Sequence, residues 1–165
     1  LENIQLHGIN FGIYPAFLQL NLEQPPSRKI HYLDLWIYFN KHTHKFETTL
    51  YSKRDDPKFK KLAFYRYPHI TSKISAACKY NIVTSQLIRF NRLCSRADQF
   101  IYHTAFILAF LHKHRKYNKT RLFIYARRTL LYILPRWYLY NPSSAMKAIK
   151  HRFERLLVEV DTLKP

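Results

Sequence analysis

Glycine is almost missing from this chain: Gly8 and Gly12 are the only two in 165 residues. That scarcity argues against turns that need a left-handed backbone and against glycine-rich phosphate loops. Neither G-x-x-x-x-G-K nor G-x-G-x-x-G occurs. Cysteine is equally scarce, and Cys78 and Cys94, without C-x-x-C spacing, read as a reduced intracellular pair. Carboxylates are few and scattered, ten against 28 lysines and arginines, which leaves little for acid–base or metal chemistry. Asp55 and Asp56 are adjacent and would face opposite ways on a strand, so they read as ion-pair partners of Lys53 or Arg54. The H-x-H pairs at 42/44 and 112/114 lack a third ligand at suitable spacing. A long apolar run is missing too. FIYHTAFILAFL, 100–111, is too short to span a bilayer and reads as a buried helix.

What is present is a core and a strong positive charge. An apolar fraction of 47% excludes a disordered tail, and the length suits one domain or the end of a larger one. The chain opens on Leu1, not methionine, and reads as a piece of a longer polypeptide. The net charge of +18 is unevenly spread. Residues 1–50 balance four basic side chains with four acidic ones, whereas 51–128 carry 18 basic and three acidic. Such self-repulsion opposes folding and points to a polyanionic partner, nucleic acid first and an anionic membrane surface second.

Hydropathy patterning predicts α+β architecture. IHYLDLWIYF (30–39) and FETTLYSK (46–53) alternate and are joined by a polar connector, the pattern of a β-hairpin. EQPPSRK (23–29) is a loop, and 54–69, broken by Pro57 and Pro68, is irregular. From residue 71 the period becomes helical. Helices are expected near 71–78, 82–95, 97–114, 119–133 and 143–158, with Ser95 and Ser143 as N-caps and Asp98 in a first turn. The divisions are 1–56, a basic helical stretch 57–134, and a helical tail 135–165.

Within SQLIRFNRLCS and the residue after it, Ser85, Arg89, Arg92 and Arg96 fall on one helical stripe, opposite Leu87, Phe90 and Cys94. A solvated face is the bland explanation. Two further basic clusters interleaved with aromatics, KKLAFYRYPH and KHRKYNKTR, favour phosphate contacts and base stacking instead.

YPAFLQLNLE (14–23), HYLDLWI (31–37), TTLYSKRDD (48–56), YPHITSKIS (67–75) and YNIVTSQLIRFNRLCS (80–95) follow one another in an order that resembles the telomerase-related reverse transcriptases of Penelope-like retroelements. The resemblance covers about residues 13–130, the part after the catalytic palm motif. It implies that Tyr32, Leu33 and Asp34 match the strand of a primer-grip hairpin, followed by a thumb-like helical bundle along the template–primer duplex. Lys53, Arg54, Arg89, Arg92 and Arg96 would then contact phosphates, with Ser85 and Gln86 as neutral hydrogen-bonding groups. The Tyr-x-Asp-Asp motif that binds Mg²⁺ in the complete polymerase would lie in the missing fingers and palm, leaving this chain inactive alone. Lys116-Tyr117 stands where the family often has Gly-Tyr. The resemblance implies work in the nucleus. A stand-alone basic nucleic-acid-binding protein and a membrane-surface or protein-interaction module are the alternatives.

Overall fold

A computed structural model describes residues 29–51, 67–133 and 141–159. Among these the chain forms a small antiparallel sheet followed by a four-helix bundle, an α+β fold. The strands are β1 (Lys29–Tyr32), β2 (Leu35–Asn40) and β3 (Lys45–Leu50), in that spatial order. The helices are α1 (Ala76–Leu93), α2 (Ala97–Arg115), α3 (Lys119–Ile133) and α4 (Pro142–Glu159). Lys53, Arg54, the loop at 23–28, the stretch 54–66 and both division points, 56/57 and 134/135, lie outside the described residues.

The expected strand 30–39 is two strands. The chain reverses at Leu33–Asp34, so that Tyr32 pairs with Leu35 and Lys29 with Tyr38. Leu33 takes φ 52°, a left-handed conformation costly for a residue with a Cβ. The turn is held from outside: Tyr51 N donates to the Asp34 carbonyl at 2.8 Å. The expected hairpin is the β2–β3 pair, closed by Lys41–His44 with His44 at φ 49°. Lys116, after α2, is the third such residue, at φ 60°. Turns that glycine would ordinarily fill are therefore made here by leucine, histidine and lysine. Lys116→Gly is expected to stabilise the fold by about 0.5–1 kcal/mol, read from the urea midpoint.

β3 does not end as an open edge. Ser95, between α1 and α2, donates its N–H to the Thr48 carbonyl at 2.9 Å and accepts the Thr48 N–H on Oγ at 2.9 Å. This role removes Ser95 from its expected place as a cap. The N-cap of α2 is Arg96, with no side-chain capping bond, while Asp98 does occupy the first turn. The cap of α4 likewise falls on Asn141, whose Oδ1 accepts the Ser144 N–H at 2.7 Å. Pro142 then takes the first helical position, where its missing N–H costs nothing. The expected helices 71–78 and 82–95 are one helix, capped by Ser75, whose Oγ accepts the Cys78 N–H. Tyr80 carries α1 through the expected gap by packing on Tyr117 and Tyr125.

Each helix sends apolar side chains to one core. Val83, Leu87 and Phe90 come from α1, Phe100, Leu108 and Leu111 from α2, Leu122 and Leu130 from α3, and Ile149, Phe153 and Leu156 from α4. The last helix belongs to this core, with α4 packed against α2 and α3 against α1. Lys79 is buried beneath the loop before α1, its ammonium donating to the carbonyls of Ile70 and Ser72.

Candidate nucleic-acid interface

The structure redraws the arginine row. α1 ends at Leu93, so Arg96 leaves the stripe. Its guanidinium forks onto Asp98, Nε to Oδ1 at 2.9 Å and Nη2 to Oδ2 at 3.0 Å, with Glu47 at 3.6 Å. Glu47 is buried; burial alone would raise its carboxyl pKa, but hydrogen bonds from Tyr38 and Asn40, with Arg96, hold it below its ordinary value. Gln99 donates to the Tyr38 hydroxyl and extends this network from α2 to the sheet. Arg96 therefore locks the sheet to the bundle.

Arg89 is also engaged. Its guanidinium, 20% exposed, meets the Asp34 carboxylate at 2.7 Å and the Gln86 amide oxygen at 3.5 Å. The contact joins two regions that are 55 residues apart in sequence, the β1–β2 turn and the arginine helix. Because Asp34 is 63% exposed, the pair orients the turn more than it stabilises the fold. Tyr32 and Leu33, exposed by 63% and 75%, form the tip of that hairpin. Ser85 remains on the exposed face of α1 and donates back to the Ile82 carbonyl at 3.0 Å. Of the three arginines expected in the row, Arg92 alone is exposed with no ion pair among the described residues.

The partners that complete a basic face come from α3. Tyr80 stacks on Tyr125 at 5.3 Å, and Thr129 Oγ1 donates to Thr84 Oγ1 at 3.1 Å. Each contact pairs residues offset by 45 positions, so α1 and α3 run side by side in the same direction. At 100° per residue, Asn81, Ser85, Ile88 and Arg92 form a stripe on the outward side of α1, beyond this seam. Arg121, Tyr125, Arg128 and Tyr132 border it on α3 with the same 4-3-4 spacing. Arg121 and Arg128 are exposed and, like Arg92, lack ion-pair partners among the described residues. Neither helix contains an aspartate or glutamate. The result is a two-helix face with three unneutralised guanidinium groups. In the sequence Arg121 stands out only as the end of a basic cluster, and nothing local singles out Arg128 or Tyr132. Their heptad-like spacing was the available signal, and it acquires meaning only once α1 is known to lie beside α3.

Chemistry elsewhere in the described residues is sparse. Cys94 is fully buried, and burial pushes its thiol pKa up to about 11, so it is no thiolate nucleophile. A cavity of about 390 Å³ is lined by His112, Lys113, Lys116 and Tyr117 at the end of α2 and by Leu157 of α4. Its polar walls already close helix ends: Lys113 Nζ donates to the Leu157 carbonyl at 2.6 Å, and His112 Nδ1 to that of Tyr117 at 2.8 Å. Among the described residues no three His, Cys, Asp or Glu side chains come together as a metal site. No described helix is long and apolar enough to cross a membrane. Comparison with known proteins brings no match, whether to a protein-family model, a curated protein or a solved structure.

Proposed function

We propose that this chain grips a nucleic-acid duplex by its phosphate backbone, as the primer-grip and thumb portion of a reverse transcriptase of the Penelope type would. The observation that carries the reading is the outward side of α1 and α3, helices without an aspartate or glutamate, where Arg92, Arg121 and Arg128 are exposed and have no ion-pair partner among the described residues. Guanidinium groups spaced along two parallel helices can follow a row of phosphates and release counterions without reading bases. The Asp34–Arg89 contact supports the polymerase part of the reading, because it sets the hairpin tip beside the arginine helix. Mg²⁺ and the polymerising carboxylates belong, on this reading, to another part of the polypeptide, and the role left to these residues is holding the duplex.

The test is a salt titration of binding to a labelled 20-base-pair duplex. In the triple variant Arg92→Ala, Arg121→Ala, Arg128→Ala, the slope of log K against log salt should become shallower by about 3, equally for unrelated sequences. An unchanged slope sinks the face. The polymerase relation has its own check: a Tyr-x-Asp-Asp motif encoded in frame upstream supports it, and an in-frame stop immediately upstream counts against it.

A further inference from the structure

We propose that the edge of α3 facing this seam receives an unpaired nucleotide, with Tyr132 stacking on its base and Arg128 and Arg92 holding the phosphates on either side. The inference rests on the proposed backbone grip of the α1–α3 face and adds to it a place for one unpaired nucleotide at the edge of the bound nucleic acid. Tyr132 is 84% exposed, the most exposed of the large apolar side chains among the described residues. Its stripe-mate Tyr125 is committed to Tyr80, whereas Tyr132 has no ring neighbour among the described residues. The 45-residue offset sets Tyr132 level with Leu87, so that in the axial direction Arg92 of α1 lies about 7.5 Å further on and Arg128 of α3 about 6 Å behind. An exposed aromatic between guanidinium groups that lack ion-pair partners among the described residues, on helices without aspartate or glutamate, has the composition of a single-strand platform. A duplex can use the arginines but offers the ring nothing, because its bases are already paired and stacked.

A membrane surface is the competing occupant, since Ile124 and Leu131 are also exposed on α3. An interfacial helix, however, separates an apolar stripe from its charges. Here Arg127 and Arg128 bracket Ile124 and Leu131 on the same outward face, which favours a polyanion with separate bases and phosphates.

Affinities of the wild-type chain, Tyr132→Ala and Tyr132→Phe for a labelled 12-nucleotide oligo-dT and a blunt 20-base-pair duplex test the proposal. Tyr132→Ala should weaken oligo-dT binding by about 5- to 150-fold while changing duplex binding less than about twofold. Tyr132→Phe, which keeps the ring, should bind oligo-dT like the wild type. An unchanged urea midpoint would show that Tyr132→Ala leaves the fold intact. Equal losses on both nucleic acids, or no loss on oligo-dT, would overturn the stacking role and leave the backbone grip standing. Failure of the wild type to bind either nucleic acid would overturn both. Displacement of oligo-dT from the wild type, but not from Tyr132→Ala, by vesicles of phosphatidylserine and phosphatidylcholine would assign the edge to a membrane instead.

Discussion

Phe153→Ala is expected to lower the unfolding free energy by about 3–5 kcal/mol, measured by urea denaturation at neutral pH. Phe153 is fully buried on α4 and meets Phe123 of α3 edge-on at 5.0 Å, with the His112 ring of α2 at 6.1 Å. The ammonium of Lys119, which also pairs with Glu154 at 2.7 Å, lies 5.4 Å over its ring. Three helices therefore close around this side chain, and its removal leaves a cavity that none of them can fill without moving. Against a total stability of about 5–15 kcal/mol for a domain, such a loss approaches unfolding. A cost below about 1 kcal/mol would mean that α4 does not belong to the common core.

Acidification is expected to destabilise the fold between about pH 6.5 and 4, chiefly through His103. Burial lowers its pKa to about 4, from an ordinary value near 6.5. Its ring lies beside Phe90 of α1 and Tyr102, and Nε2 shares a hydrogen bond of 3.1 Å with Thr49 Oγ1 of the sheet. Within this window the unfolded chain binds a proton that the folded chain refuses. The stability due to neutral His103 is thus fully present above pH 6.5 and lost as the pH falls to about 4, a ceiling of about 3 kcal/mol. Glu47, with its pKa held below the ordinary carboxylate value, contributes only at the acid end of the same range and below it. His103→Gln keeps a polar group for Thr49 but cannot titrate. Its urea midpoint should therefore fall less than the wild type's between pH 7 and 4.5. Parallel curves for the two proteins would remove His103 from the account.

These two side chains also mark how much the sequence reveals. Phe153 and His103 lie on segments whose helical period is plain, and α2, α3 and α4 follow expected ranges within about a residue. The reversal at Leu33–Asp34 was hidden because no glycine, proline or asparagine punctuates HYLDLW. The signals that make this turn, the Tyr51 N–H and the Arg89 guanidinium, come from elsewhere in the fold. The continuity of α1 was hidden for a similar reason, since tertiary packing of Tyr80 supplies what local helix propensity does not. At the candidate interface, periodicity located the exposed side of α1 but could not show which arginines were already engaged. Asp34 engages Arg89, and Asp98 with Glu47 engages Arg96. Exposed arginines without ion-pair partners among the described residues instead include Arg92 on α1 and Arg121 and Arg128 on α3.

The role proposed for this face is to hold nucleic acid by its backbone. It is tested most directly by the affinity of the whole chain for two unrelated 20-base-pair duplexes between 50 and 200 mM salt. Three phosphate contacts alone predict a loss of at least about 40-fold over that range, the same for both sequences. Binding that ignores salt, differs strongly between the two duplexes, or is undetectable at 50 mM would contradict it.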